Sequence, residues 1–184
     1  STPEDSERLL ALMKRQLPQL AARLSQTVDK LKQPIEMDVA QIPAQSWWTA
    51  VQTRYEHDGV QFTADAVGDT PLPQDLFDSV ADNLLTNALR KRQSEPGIKV
   101  EVRLMLDHLV NLTVTDSGAP APEHVARNLF LSPVASDFGL GVGLYQAARQ
   151  AARSGYRLEL PENRAGRVSF RLQATDSRPP DMPG

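Results

Sequence analysis

Apolar residues recur every three or four positions through residues 75–92. The recurring positions are Leu76, Phe77, Val80, Leu84, Leu85, Ala88 and Leu89. A stripe with this period predicts an amphipathic helix whose apolar face packs against a core. The turn-forming residues 68–73 precede it, and their prolines stand where the entry to a helix tolerates them.

A second periodic stretch occupies residues 6–32. Its apolar positions alternate spacings of three and four, as in the seam of a coiled coil or helical bundle: Leu10, Met13, Leu17, Leu20, Leu24, Val28 and Leu31. Pro18 interrupts this helix and would kink it. Because one helix cannot bury such a stripe alone, we expect a partner helix from another chain or from a missing segment. A helix packed on the domain behind it is an equally good interpretation.

Shorter elements fill the rest of the chain. The patterns predict strands at residues 35–39, 60–64, 98–106, 109–115, 156–160 and 168–172, and helices at residues 45–55, 123–130 and 139–154. We expect a tight hairpin turn at Asp107 and His108, and a further turn over residues 162–166. Gly155 is the expected C-cap of the last helix.

This order of elements favours an α+β fold. We expect a two-layer α/β sandwich with a mixed, mostly antiparallel sheet and helices on one face, preceded by the long N-terminal helix. A doubly wound sheet would need a regular alternation of strands and helices. Of the adjacent Trp47 and Trp48, we expect one in the core and one half-exposed, because neighbouring side chains point to different sides of a helix.

Composition narrows the classes of function. The chain has 184 residues, of which 40% are hydrophobic and 23% charged, and a formal net charge of −3 argues against nucleic acid as a partner. The absence of cysteine excludes disulfides, thiolate metal sites and cysteine nucleophiles. No apolar run approaches the roughly 18 to 20 residues of a membrane span, so we expect no direct membrane contact. The chain begins with Ser rather than Met, and we expect it to be part of a longer protein.

Three short motifs carry candidate chemistry. Asn83 and Asn87 lie one turn apart on one edge of the central helix, and Arg90 and Lys91 follow on the next turn. Two carboxamide oxygens thus stand beside cations, as a magnesium–phosphate unit requires. The other two motifs are DSGAP at residues 116–120, after a predicted strand, and GLGVG at residues 139–143, at the start of a helix.

Each motif has an ordinary explanation when it stands alone. Two asparagines are commonly solvated, an Asp before Ser-Gly is usually a turn residue, and glycines serve flexible loops. A dinucleotide fingerprint is excluded because residues 132–137 read SPVASD, where an apolar strand should precede the glycines. A Walker loop is absent, since no Gly-Lys-Ser/Thr occurs in the sequence.

In this order, the motifs resemble the catalytic and ATP-binding domain of two-component sensor histidine kinases, within the ATPase superfamily of gyrase, Hsp90 and MutL. The resemblance covers about residues 35–173 and comprises an asparagine box (DNLLTNALRK), two glycine boxes (DSGAP and GLGVGLY) and a reduced phenylalanine box (LFLSP). It implies a dimerisation-type helix at residues 1–33, the second of a helical hairpin, and an ATP-binding catalytic domain at residues 34–174. Residues 175–184 are expected to be a disordered tail.

The resemblance also implies roles for individual residues. Asp116 would accept a hydrogen bond from the exocyclic amine of adenine, directly or through water. Guanine would be penalised, because its carbonyl would leave the carboxylate unpaired. Backbone N–H groups of the second glycine box would approach the phosphates at a helix start. Asn83 and Asn87 would coordinate Mg²⁺. The implied ATP-binding residues are Asn83, Asn87, Arg90, Lys91, Asp116, Gly118, Phe130, Gly139, Leu140, Gly141, Val142, Gly143 and Leu144.

Two features depart from the family pattern. Ala119 and Pro120 replace a further glycine of the DSGAP loop, which stiffens it. Residues 130–139, which correspond to the family's mobile lid, are few and contain no Lys or Arg. A lid without cations adds little to the binding of a γ-phosphate, so we expect modest nucleotide affinity.

The implied reaction transfers the γ-phosphoryl group of Mg-ATP to a histidine, for relay to an aspartate of a response regulator. No histidine lies in residues 1–32, and His57, His108 and His124 are expected at the surface, so the acceptor should lie on a helix upstream of this chain. The resemblance further implies a homodimer through the N-terminal helix, in the cytoplasmic part of a membrane-bound sensor. The alternatives are a degenerate regulatory or dimerisation module and an anti-sigma-type protein serine kinase.

Overall fold

A computed structural model of the chain describes Ala21, Ala22, Leu24 and residues 39–65, 67–132 and 142–175. The chain divides into two compact units, Ser1–Asp38 and Val39–Gly184. In the first unit, the three described residues are helical. The rest of the predicted N-terminal helix, most of the strand predicted at residues 35–39, the tail beyond residue 175 and residues 133–141 lie outside the described part of the chain.

The second unit contains seven strands and four helices within the described residues. In chain order they are β1 (Gln41–Pro43), α1 (Ala44–Arg54), β2 (Val60–Asp65), β3 (Pro71–Pro73), α2 (Gln74–Ser94), β4 (Val100–Met105), β5 (Asn111–Asp116), α3 (Glu123–Asn128), α4 (Val142–Arg153), β6 (Tyr156–Arg164) and β7 (Arg167–Ala174).

Five of the strands form one mixed sheet in the order β2-β4-β5-β7-β6. Strands β2 and β4 are parallel, and the other three pairs are antiparallel. The remaining strands, β1 and β3, pair in a separate small antiparallel sheet. This arrangement confirms the predicted α+β fold with a mixed, mostly antiparallel sheet.

The core lies between the five-stranded sheet and the helices. Alternate residues of the central strands are buried on one face, as the period of two requires: Val100, Val102, Leu104, Leu112, Val114, Val168, Phe170 and Leu172. Helix α2 packs the apolar stripe predicted from the sequence against them and also contacts α4. Arg103 on the opposite face is exposed, so the helices cover one face of the sheet.

Both tryptophans of α1 are buried, so the prediction that one would be half-exposed is wrong. Trp47 and Trp48 are 1% and 5% exposed. Their side chains do point in different directions, but each direction meets an aromatic ring. Trp47 packs edge-on against Phe77 of α2 at 5.2 Å, and Trp48 packs edge-on against Phe62 of β2 at 5.5 Å. Helix α1 therefore fills the angle between α2 and the edge strand.

Polar contacts join α1 to α2. Trp47 Nε1 donates a hydrogen bond to Asp78 Oδ1 at 3.0 Å, and Tyr55 Oη donates one to Asp82 Oδ1 at 2.8 Å. Arg54 forms ion pairs with both carboxylates. Burial raises the pKa of Tyr55, and the hydrogen bond to Asp82 raises it further. These contacts fix the first half of α2 at the edge of the core.

Two loops differ in length from the predictions, and one predicted turn is a strand. Strands β4 and β5 pair as predicted, but residues 106–110 connect them, so the turn at Asp107 and His108 is not a two-residue hairpin. Strands β6 and β7 run closer together, leaving only Ala165 and Gly166 between them. Residues 71–73 are predicted as part of a turn but form β3, which pairs with β1. No alternating pattern in the sequence indicates strand β1. Gly155 has a φ of 75°, as expected of a helix C-cap.

Candidate functional site

A cavity of about 290 Å³ opens between α2, the ends of β5 and β7, and the loop that follows β5. Its apolar walls include Leu84 and Ala88 of α2, Val114 of β5, and Val168 and Phe170 of β7. Its polar lining groups are Asn87, Arg90, Lys91, Ser94, Glu95 and Asp116. Ligand-binding pockets combine apolar walls with a few converging polar groups, and this cavity has that composition.

Asp116 is the buried acid of this cavity. Its side chain is 7% exposed and forms an ion pair with Lys91, with 2.8 Å between Nζ and Oδ1. Gly118 N also donates to Oδ1, at 2.9 Å. Because both donors use Oδ1, the hydrogen bonds of the described residues leave Oδ2 as an available acceptor. A buried carboxylate with an acceptor position left over is suited to bind a donor group of a ligand.

The loop after Asp116 is held by the residues that precede β4. Ser117 N donates to Lys99 O at 3.1 Å, and Lys99 N donates to Ser117 Oγ at 2.9 Å. Gly118 has no room for a side chain, because a Cβ there would lie 2.5 Å from Ile98 Cδ1 and 2.6 Å from Lys91 Cδ. The close packing of this glycine brings the aliphatic stem of Lys91 alongside the loop and its ammonium group to Asp116.

The hairpin of β6 and β7 also forms hydrogen bonds with the loop after Asp116. Asn163 Nδ2 donates to Ala121 O at 2.9 Å, and Asn163 Oδ1 accepts from Ala121 N at 2.8 Å. Gly166 N donates to Gly118 O at 3.1 Å. Ala121 lines the cavity, so the hairpin fixes one part of its rim.

The two asparagines of α2 have different surroundings. Asn87 lines the cavity, as do Arg90 and Lys91 on the following turn. Asn83 lies one turn earlier, and its Nδ2 donates to Ser79 O at 2.7 Å. Its Oδ1 faces the start of α4, where a Cβ on Gly143 would lie 2.2 Å from that oxygen. One donor of the Asn83 amide is therefore used within its own helix, and the oxygen points toward Gly143 of the second glycine box.

The structure brings together part of the predicted site. Asn87, Arg90, Lys91 and Asp116 line one cavity, with Gly118 hydrogen-bonded beside it. Phe130 lies behind the cavity wall, where its ring packs edge-on against Phe170 at 6.5 Å. The remaining predicted residues belong to the second glycine box. Of these, Val142, Gly143 and Leu144 form the first turn of α4, and Gly139, Leu140 and Gly141 lie outside the described residues.

Several residues of the site were not singled out from the sequence. Val114, Val168 and Phe170 could have been found, because each occupies an inward position of an alternating strand. Glu95, which accepts from Ala119 N at 3.3 Å, and Asn163 carry no such signal. Their contacts join segments that are distant in sequence, so they depend on the fold.

Two other findings concern the described residues only. None of the helices there is both long and apolar enough to cross a membrane. No cluster of three or more His, Asp or Glu side chains in that part of the chain could hold a metal ion. All three histidines are exposed, as predicted from the sequence.

Solved structures with the same fold include catalytic portions of histidine kinases. The nucleotide-free catalytic domain of histidine kinase ThkA matches 75% of this chain and 97% of its own length, with 22% identity and a TM-score of 0.63. ThkA in complex with the response regulator protein TrrA matches 95% of this chain, at 18% identity and a TM-score of 0.59, and the match spans 52% of that ThkA chain. Histidine kinase AdeS of Acinetobacter baumannii matches 97% of this chain and 87% of its own, at 15% identity and a TM-score of 0.60.

Comparison at the level of sequence families agrees with this fold. No curated protein matches the chain in sequence. The family model described as histidine kinase-, DNA gyrase B-, and HSP90-like ATPase matches residues 73–176, which is more than half of the 184 residues. That range contains α2, the loop after β5, and both walls of the cavity. The chain thus belongs to the histidine kinase-, DNA gyrase B- and HSP90-like ATPase family.

Proposed function

We propose that this chain is the ATP-binding catalytic portion of a sensor histidine kinase, and that the cavity beside α2 receives the adenine of Mg-ATP. The γ-phosphoryl group would pass to a histidine on a dimerisation helix outside this chain, for relay to an aspartate of a response regulator. The observation that carries this proposal is the convergence of Asp116, Asn87 and Arg90 on one cavity of a member of this ATPase family.

The cavity supports binding of a purine base. Its apolar walls can cover the two faces of a flat ring, and Asp116 offers a buried acceptor to a donor on the edge of that ring. The volume of about 290 Å³ suits a nucleoside rather than a whole triphosphate. The phosphates would therefore extend out of the cavity, past Asn87 and Arg90, toward the start of α4.

The surroundings of the two asparagines fit a magnesium ion. Magnesium prefers oxygen ligands and is usually held by few protein groups together with phosphates and water. Asn83 donates from its amide nitrogen within its own helix, and its oxygen faces the start of α4. Asn87 lines the cavity one turn later. Both would hold the ion through their carboxamide oxygens. When bound, the ion would neutralise charge on the phosphates.

The chain's own residues would contribute position and charge to the transfer. Arg90 is exposed beside the cavity and carries a permanent forked charge suited to a phosphate. The start of α4 would offer backbone N–H groups to the same phosphates. Such positioning and charge neutralisation are most of what phosphoryl transfer requires from a protein.

A response regulator is proposed as a partner of this chain. The support is that ThkA, which has the same fold, was crystallised with the response regulator protein TrrA. In the full-length protein, the N-terminal helix would join two copies into a homodimer. His57, His108 and His124 are exposed in loops or at the start of the six-residue α3, outside any long helix of the described residues. The acceptor is therefore proposed to be supplied from outside this chain.

Calorimetric titration with ATP, with and without Mg²⁺, tests this proposal. We expect binding that Mg²⁺ strengthens. Asn87→Asp should weaken binding in the presence of Mg²⁺ by about tenfold or more, since a charged carboxylate would stand beside the phosphates; tenfold corresponds to about 1.4 kcal/mol. Asn111→Asp makes the same chemical change at the start of β5, where the oxygen accepts from Thr113 Oγ1 and can still do so, and should leave binding unchanged.

The absence of ATP binding in the parent chain would contradict the proposal. That result would favour the alternative of a degenerate module with a regulatory or dimerisation role. Equal binding by the parent and Asn87→Asp would retain a nucleotide site but remove Asn87 from it. Transfer of labelled γ-phosphate to serine of a partner protein, rather than to histidine, would favour the anti-sigma-type kinase.

A further inference from the structure

The ammonium group of Lys91 lies beside the buried carboxylate of Asp116, in the part of the cavity proposed to receive adenine. The two groups are 2.8 Å apart, and both line the cavity. Lys91 is 24% exposed at its side chain, and Asp116 is 7% exposed. From the sequence, Arg90 and Lys91 are expected alike as cations beside the two asparagines, at least one of them facing the nucleotide. The structure thus separates these two adjacent cations, with Lys91 directed to the acid.

The position of Lys91 is built into the fold. Its stem passes over Gly118, where a Cβ would lie 2.6 Å from Lys91 Cδ. Gly118 N and Lys91 Nζ both donate to Oδ1 of Asp116. An ammonium group has three donors, and the contact with Asp116 uses one of them. The wall of the cavity therefore presents an acceptor, Asp116 Oδ2, next to a charged donor, Lys91 Nζ.

An acceptor next to a donor is the complement of one edge of adenine. That edge carries an exocyclic amine, which donates, directly beside the ring nitrogen N1, which accepts. We propose that Lys91 is a specificity-determining residue: its ammonium group donates to N1 while the Asp116 carboxylate accepts from the exocyclic amine. This inference rests on the proposed function, because it assumes that ATP occupies the cavity.

The ion pair need not open for the base to bind. The cavity of about 290 Å³ exists with the pair closed, and the pair forms part of its wall. A base that enters would gain a hydrogen bond from a charged donor in a partly dry site, which is stronger than one from a neutral group. A purine with a hydrogen on N1 would face the ammonium group with a donor of its own and would lose this bond.

A thermodynamic cycle between protein and ligand tests the contact. The affinities of ATP and 1-deaza-ATP, in which carbon replaces N1, are measured for the parent chain and for Lys91→Met. The parent should bind 1-deaza-ATP about tenfold or more weakly than ATP, as loss of a hydrogen bond from a charged donor implies. Lys91→Met should bind ATP about as weakly and should lose nothing further with 1-deaza-ATP.

Two controls assign the effect to this one contact. Arg103→Met removes an exposed cation on the opposite face of the sheet and should behave as the parent does with both ligands. The analogue 7-deaza-ATP lacks a different ring nitrogen and should show no coupling to Lys91. Coupling to 7-deaza-ATP in place of 1-deaza-ATP would mean that another edge of the base faces Lys91, which would overturn the inference.

A measurement on the parent chain alone keeps the test decisive if Lys91→Met fails to fold. In ATP labelled with ¹⁵N, the N1 resonance should move upfield on binding, as it does when N1 accepts a hydrogen bond, and an unmoved N1 would overturn the inference. Equal losses with 1-deaza-ATP in the parent and in Lys91→Met would also overturn it, as would tighter ATP binding by Lys91→Met. A parent chain that does not bind ATP would overturn the proposed function as well, so the two failures are distinguishable.

Discussion

Replacing Gly118 by alanine places a methyl group in a space that three neighbours already occupy. The new Cβ would lie 2.5 Å from Ile98 Cδ1, 2.6 Å from Lys91 Cδ and 3.0 Å from Asp116 Oδ1. Ile98 is buried and cannot withdraw into solvent, and Lys91 is held by its ion pair. Gly118 has no left-handed φ, so the cost of the substitution arises from these contacts rather than from the backbone.

The expected loss of stability follows from the number of atoms that must move. Inserting a methyl group into a well-packed region costs about 1 to 3 kcal/mol. For a domain of roughly 150 to 250 residues, each kcal/mol lowers the melting temperature by about 2 to 4 °C, so we expect a decrease of about 2 to 12 °C. The displacement of Lys91 would also weaken ATP binding, because the base side of the cavity would lose its donor.

Urea unfolding of Gly118→Ala measures the cost, and Gly68→Ala is the matched control. A Cβ on Gly68 meets nothing within 4 Å, so its substitution should leave the free energy of unfolding within about 0.5 kcal/mol of the parent. Ile98→Val removes the nearest clashing atom, Cδ1, and alone should cost about 0.5 to 1.5 kcal/mol. Combined with Gly118→Ala, it should cost less than the sum of the two single losses, by about 0.5 kcal/mol or more.

Two outcomes would refute this reasoning. If Gly118→Ala were as stable as Gly68→Ala, the space beside Gly118 would not be filled as described. If the losses of Gly118→Ala and Ile98→Val added without coupling, the cost would arise elsewhere than at the contact between them.

Two further substitutions separate the rim of the cavity from the edge of the core. Asn163→Ala removes both hydrogen bonds to the backbone of Ala121 and should cost about 1 to 3 kcal/mol in urea unfolding; titration should show weaker ATP binding because the rim is no longer fixed. Parent-like values in both assays would show that the hairpin does not hold the loop. Trp47→Phe removes the donor to Asp78 and part of a buried ring, and should cost about 1 to 3 kcal/mol in thermal unfolding while leaving ATP affinity unchanged. A change in ATP affinity without a loss of stability would contradict that assignment.

The long periodic elements were predictable because one local pattern determines each of them. The apolar stripe of α2 and the alternating apolar residues of β4, β5 and β7 indicate which face packs against the core, and those faces are buried in the structure. The position of Asp116 at the end of β5 followed from the same alternation. The three-residue strands β1 and β3 were not predictable, because so few residues carry no period and their pairing depends on where the chain returns.

Burial of Trp48 illustrates the same limit. The sequence predicts that its side chain points away from that of Trp47. Its burial, however, depends on the tertiary contact with Phe62 of β2. In the site, the sequence identified Lys91 and Asp116 separately, and their ion pair joins residues 25 positions apart in the chain. The hydrogen bonds of Asn163 join it to Ala121, 42 positions earlier in the chain, and no local pattern in the sequence indicates that contact.

The most direct test is a crystal structure of the chain with a non-hydrolysable ATP analogue and Mg²⁺. We predict the adenine inside the cavity, with its exocyclic amine at hydrogen-bonding distance from Asp116, about 3 Å, and the magnesium ion held by Asn83 and Asn87. A nucleotide bound elsewhere, with Asp116 and Asn87 both untouched, would contradict the assignment of this cavity as the ATP site.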